Sequence, residues 1–226
     1  MMTSTPSALI IGASRGIGLG LVQQLSARGW QVAATCRGEI PSKSPSDVQW
    51  LTVDINHKDQ RQALKSQLSA HKFDLIFINA GVYGPAHQDI SQSSDEDLMA
   101  LFMTNAFSPV RCAAELLPLI KSQTGVMALM TSQLASLNEN GSATYPLYAA
   151  SKAALNMLTR GLLDTAKTQN CTLLSVHPGW VQTDMGGQNA TLTIEQSTQG
   201  IVEQIEAWSG KGGHHYVDYS GHTLQW

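Results

Sequence analysis

The stretch Gly12-Ala13-Ser14-Arg15-Gly16-Ile17-Gly18 decides how this chain is read, because it follows at once on the apolar run Ala8-Leu9-Ile10-Ile11. A short aliphatic run ended by glycine is a buried strand. From Gly16 onward apolar residues fall three and four apart, as at Leu21 and Leu25, and predict a helix. Glycines between such a strand and helix permit a tight turn, and they let backbone N–H groups approach a phosphate whose charge the helix N-terminus favours. The spacing is G-x-x-x-G-x-G, not G-x-G-x-x-G. Taken alone, the cluster is also compatible with plain punctuation between two elements.

Working outward, the same alternation runs along the chain. Further strands are expected at 31–35, 49–53, 75–78, 126–130, 173–176 and 215–217, with helices starting near Gly16, His57, Asp95, Leu147 and Ile194. Short aliphatic runs between longer helical patterns predict an α/β fold with helices on both faces of a parallel sheet. The right-handed crossover rule then points to a doubly wound parallel sheet of about seven strands. A length of 226 residues suits a single domain spanning 1–226. The loop 38–47, with Pro41 and Pro45, reads as surface, and the irregular stretch 136–145 is expected at the mouth of a site.

Composition excludes several classes. With 42% hydrophobic and 14% charged residues the chain is neither disordered nor fibrous. Fourteen Lys plus Arg against seventeen Asp plus Glu give −3, which argues against nucleic-acid binding and against a polybasic membrane anchor. No apolar run approaches the roughly 18 to 20 residues that span a bilayer, and residues 1–7 lack the pattern of a signal peptide. Cys36, Cys112 and Cys171 are odd in number and far apart, so a reducing, cytoplasmic setting is expected. The seven histidines offer no metal set: His214 and His215 are adjacent and on a strand would face opposite ways. Thr131-Ser132-Gln133 lacks the elbow of a serine hydrolase.

The second informative stretch is Tyr148-Ala149-Ala150-Ser151-Lys152, which opens a predicted helix. Four residues apart, Tyr148 and Lys152 share a helix face, so an ammonium can stand near the phenol and favour its ionised form. A free phenol titrates near pH 10, and such a neighbour is what a tyrosine acid or base needs. Alone, the pair also fits an ordinary solvated face.

Together these motifs resemble the short-chain dehydrogenase/reductase family, and the resemblance covers almost the whole chain. Gly12, Gly16 and Gly18 fit its nucleotide loop; Asn79-Ala80-Gly81 fits its N-A-G turn; Asn105 fits its helix asparagine. Ser132 follows the fifth strand, Tyr148 and Lys152 fit Y-x-x-x-K, and 177–185 fits P-G-x-x-x-T. The resemblance implies a Rossmann-type fold and a homodimer or homotetramer paired through 99–119 and 149–164. It also implies hydride transfer from a nicotinamide cofactor to a carbonyl. Tyr148 would be the general acid, Ser132 would hold the substrate oxygen, Lys152 would lower the Tyr148 pKa and hold the ribose hydroxyls, and Asn105 would hold a water. Ser14, Arg15, Ile17, Pro178, Gly179, Val181 and Thr183 would complete the cofactor site, the last two at the carboxamide.

Ser132 stands sixteen residues before Tyr148, where the family commonly has thirteen. Tyr145 has the commoner spacing but is followed by Pro146 and lacks a lysine four residues on, so Tyr148 is kept and Tyr145 is expected at the substrate mouth. The longer loop looks like the carbonyl-reductase branch, with its C-factor-like and sniffer-like members. Cys36 stands where an acid would accept from a ribose 2′-OH, with Arg37 beside it and Arg15 in the glycine loop. Two guanidiniums suit a 2′-phosphate, so NADP(H) is preferred; NAD(H) stays open, with Glu39 as the alternative acid and Arg37 pointing to solvent. Asp54 fits the family's adenine-contacting acid, or else caps the following helix.

The expected substrate is a small or medium aldehyde or ketone, entering beside 82–94, 134–145 and 185–192. Tyr83, Leu134, Tyr145, Trp180 and Met185 would line its path, although Trp180 fits ordinary packing equally well. Two rivals remain: an NADP(H)-binding regulatory protein with little turnover, and a dehydratase or epimerase that regenerates its cofactor.

Overall fold

Every expected strand forms, and the strands join one seven-stranded sheet in the computed structural model, which describes residues 5–226. They are β1 (Ser7–Ile11), β2 (Gln31–Cys36), β3 (Gln49–Thr52), β4 (Leu75–Ile78), β5 (Val126–Met130), β6 (Thr172–His177) and β7 (His214–Asp218). Their order is β3-β2-β1-β4-β5-β6-β7, parallel throughout. Parallel neighbours need crossovers; helices supply them everywhere except between β2 and β3, which the loop 37–48 joins. The helices are α1 (Gly16–Ala27), α2 (Lys58–Gln67), α3 (Asp95–Phe102), α4 (Ser108–Leu116), α5 (Pro146–Arg160), α6 (Leu163–Gln169) and α7 (Ile194–Trp208).

The central strands are continuous apolar runs because both faces are covered. Successive side chains alternate between two cores. Leu9, Ile11, Ile76, Ile78, Met127 and Leu129 pack beneath α2, α4 and α5. Ala8, Ile10, Leu75, Phe77, Val126 and Ala128 pack beneath α1 and α7, through Leu21, Leu25, Ile201 and Ile205. Each such aliphatic side chain contributes about 1.5–3 kcal/mol of burial. The chain travels from β1 outward to β3, then returns to lay β4 on the other side of β1. The crevice at this reversal opens above the carboxyl ends of β1 and β4, where Gly12 and Asn79 emerge.

The expected helix from Asp95 is interrupted. Ser94 caps it by accepting the Asp97 N–H, but Met103–Phe107 widen into a π-turn before α4 begins. The expected helix from Leu147 starts one residue earlier, with Pro146 in its first turn, and breaks after Arg160 into the separate α6. The α7 helix opens with a reciprocal cap between Thr193 and Gln196. His214 and His215 do face opposite ways on β7: His214 meets Ser175 and Trp226, whereas His215 stacks on Trp208. Among the described residues no helix is long and apolar enough to cross a membrane.

Candidate active site

The glycine turn is held by sterics as well as by hydrogen bonds. Gly12 and Gly16 adopt φ of 81° and 55°, which disfavours other residues. Gly18 is needed for closeness instead: a Cβ there would lie 2.3 Å from the Gly12 carbonyl oxygen and 2.7 Å from Asn79 Nδ2. Those two atoms are themselves hydrogen-bonded, Asn79 Nδ2 donating to Gly12 O at 2.8 Å. The turn after β1 and the turn after β4 are therefore locked together. Arg15 takes the N-cap position of α1 without capping it by its side chain, so the first-turn N–H groups stay open to an anion.

Two adjoining cavities flank this junction. The larger, about 660 Å³, is lined by Gly16, Ile17, Tyr148, Lys152, Pro178 and Thr183. The smaller, about 140 Å³, is lined by Gly12, Ser14, Arg37, Asp54 and Ala80. Arg15, Asn79 and Gly81 line both and so join them into one elongated cleft. Asn56 lines the smaller cavity beside Asp54, and its Oδ1 is buried with no partner.

Tyr148 and Lys152, both on α5, line the larger cavity; Asn105 stands behind Gly81 on the π-turn, and Ser132, after β5, lines neither cavity. Asn105 is fully buried. Its Oδ1 accepts the Val82 N–H at 2.7 Å, and its Nδ2 donates to Val82 O at 2.8 Å and to Ser151 Oγ at 2.9 Å. Ser151 Oγ in turn donates to Tyr148 O at 2.7 Å. The asparagine thus clamps the segment after β4 to α5, and the π-turn is what aims it inward. Gly81 leaves the gap in front of it: a Cβ there would sit 3.3 Å from both Asn105 Oδ1 and Lys152 Nζ. Ser132 caps the short 3-10 turn Gln133–Ala135, its Oγ accepting from the Leu134 N–H.

Lys152 Nζ donates to Met130 O at 2.9 Å and stands 5.8 Å from the centre of the Tyr148 ring. Burial pushes this ammonium down to about 8. Burial, helped by the neighbouring Tyr83, pushes the Tyr148 phenol up to about 12. The expected lowering of the phenol by Lys152 is not what this geometry produces, since the lysine is turned toward a carbonyl and desolvation dominates.

Several sequence-read residues support the cleft without lining it. Gly18, Gly179 and Val181 lie behind its wall; a Cβ on Gly179 would meet Leu192 at 2.3 Å. Asp54 does not cap α2, whose N-cap is His57; its Oδ1 accepts the Asn56 N–H instead. Tyr145, in left-handed conformation with φ of 51°, meets Tyr83 edge-on at 5.4 Å, and Tyr83 stacks on Tyr148 at 5.9 Å. Met185 lines the larger cavity, while the Trp180 indole N–H donates to Gly186 O.

Other contributors carry no sequence signal. Gln88 accepts the Tyr148 N–H at 2.9 Å and donates to the carbonyls of Tyr83 and Pro85, tying the loop after β4 to the start of α5. Tyr216, buried on β7, donates its hydroxyl to the Ser132 carbonyl. Asp184 pairs with Arg15 across the cleft.

A glycine turn at the switch point, with a buried lysine and a tyrosine lining the larger cavity, marks an oxidoreductase of the dinucleotide-binding kind. Residues 6–192 match the family model described as short chain dehydrogenase, and the chain belongs to that family. Among curated relatives, C-signal of Myxococcus xanthus is 32% identical over 168 residues, covering 73% of this chain and 99% of that protein. A carbonyl reductase from Pseudomonas aeruginosa PAO1, solved in complex with NADP, shares 41% identity at a TM-score of 0.89, covering 99% of this chain and all of that one (100%). Carbonyl reductase Sniffer of D. melanogaster superposes at 0.87 with 31% identity, over 98% of this chain and 100% of that one.

Proposed function

We propose that this oxidoreductase reduces a small or medium aldehyde or ketone to its alcohol with NADPH. The observation that carries the reading is that Tyr148 and Lys152, with Asn105 behind Gly81, stand at the larger end of a cleft whose other end holds Arg37 and the glycine turn. The residues fit a dinucleotide: open N–H groups at α1, a gap at Gly81 that any Cβ would fill, an unpartnered Asn56 oxygen, and guanidiniums in place of an acid at the end of β2. When bound, the nicotinamide supplies the hydride.

The chain's own groups do the rest. Tyr148, protonated at neutral pH, gives its proton to the substrate oxygen, and Lys152 has to draw its raised pKa down toward the working range once the site is filled. Ser132 Oγ donates to the same oxygen as charge develops on it. Lys152 would hold the ribose hydroxyls. Asn105 has both amide hydrogens engaged, so it serves this reading by fixing the floor of the site and through its remaining oxygen lone pair, where a water would be held. Thr183 would hold the carboxamide end, with Val181 packed behind it, and Asp54 with Asn56 would hold the adenine end. The apolar residues Met99, Phe107 and Met157, exposed on α3, the π-turn and α5, support pairing into a homodimer or homotetramer. Three buried, unpaired cysteines suit the cytoplasm.

The test follows NADPH absorbance while the protein meets a panel of aldehydes, ketones and quinones. Turnover that Tyr148→Phe loses supports the reading; NADPH binding without turnover across the panel shifts weight to a regulatory role.

A further inference from the structure

Arg15 stands where the two cavities meet and lines both. Its Nη1 lies 2.5 Å from Asp184 Oδ2, with both side chains 76% exposed. The pair bridges the two walls beside Gly16 and Thr183, where Thr183 Cγ2 would be 3.4 Å from a Cβ on Gly16. Toward the smaller cavity, Arg37 has no ion-pair partner among the described residues, and Cys36 occupies the end of β2 without a carboxylate. Arg15 therefore has two anionic sites within reach of one flexible side chain: the Asp184 carboxylate on the nicotinamide side, and a 2′-phosphate beside Arg37 on the adenosine side.

We propose that Asp184 competes with the cofactor's 2′-phosphate for Arg15, and so limits how strongly NADP(H) is preferred over NAD(H). The inference rests on the cofactor reading above. A carboxylate and a phosphate dianion brought to one guanidinium would set like charges side by side, so NADP(H) has to draw Arg15 away from Asp184. NAD(H) carries no phosphate there and leaves the pair intact. An exposed pair is worth little, so the handicap on NADP(H) is about two- to five-fold in affinity. Salt screens the pair and shrinks the handicap.

The experiment is calorimetric titration of NADPH and NADH into the wild type, Asp184→Asn, Arg15→Gln and the double variant, at low and at physiological salt. Asp184→Asn should tighten NADPH about two- to five-fold, leave NADH unchanged, and have no effect in the Arg15→Gln background. Equal tightening of both cofactors would overturn the proposal, since Asp184 would then act only as a general negative charge beside the pyrophosphate. Unchanged NADPH affinity would overturn it too. A wild type that binds neither cofactor would instead bring down the functional reading beneath it. Asp184 lies on the surface, and circular dichroism of Asp184→Asn and Asp184→Ser checks that both variants fold.

Discussion

Tyr216→Phe removes one oxygen from the back wall of the site and leaves the phenyl ring in place. That oxygen donates to the Ser132 carbonyl and also faces the Asn156 amide, while the ring packs beside Trp226 at 5.1 Å. The Ser132 carbonyl keeps the Ala135 N–H as its other donor at 2.9 Å, so the variant loses one hydrogen bond rather than stranding an acceptor, a cost of about 0.5–1.5 kcal/mol. For a domain of this size each kcal/mol lowers Tm by about 2–4 °C, so the variant should melt about 1–6 °C below the wild type. Ser132 is released from one of its anchors, and loosened positioning of a group that touches the reacting oxygen costs about 10- to 100-fold in kcat. NADPH affinity should not change, because Tyr216 lines neither cavity. The assays are thermal denaturation followed by circular dichroism, steady-state kinetics and NADPH titration. A kcat within about twofold of the wild type, with Tm lowered as expected, would refute the positioning role and leave Tyr216 as a packing residue only.

Gly18→Ala should be severe, since its Cβ would enter the Gly12–Asn79 hydrogen bond; a loss of about 1–3 kcal/mol and a markedly weaker NADPH affinity are expected from chemical denaturation and titration. Arg37→Asp should weaken NADPH about 10- to 100-fold and favour NADH, read from paired titrations; unchanged selectivity would remove Arg37 from the site. Stability should fall with acid. Burial pushes His177 and His214 from 6.5 down to about 4, so between those values the unfolded chain takes up protons that the folded chain refuses. Stability is thus fully present above about 6.5 and declines toward about 4. Thermal melts across that range check this, and a flat profile would contradict it.

Strands were legible because a sheet covered on both faces demands short continuous aliphatic runs, such as Leu75-Ile76-Phe77-Ile78, and these stand out between helical spacings. The glycine turn and the Tyr148–Lys152 pair were legible because their chemistry is local, within seven residues or fewer. The π-turn at Asn105 was not, since one widened turn leaves the apolar spacing of a helix nearly unchanged. Gln88 and Tyr216 were invisible for another reason. Their partners, Tyr148 and Ser132, lie 60 and 84 positions away in sequence, and only the closed fold brings them together. Electrostatics at Tyr148 misled for a third reason: four residues of spacing set which face Lys152 occupies, but not that its Nζ bonds to Met130 O.

The most direct measurement supplies the protein with NADPH carrying deuterium at the transferable position and examines the alcohol formed from a reducible substrate. The account predicts deuterium on the carbinol carbon of the wild-type product, and no alcohol from Tyr148→Phe although that variant still binds NADPH. Alcohol without the label, or equal yield from Tyr148→Phe, would contradict hydride transfer to a carbonyl that Tyr148 protonates.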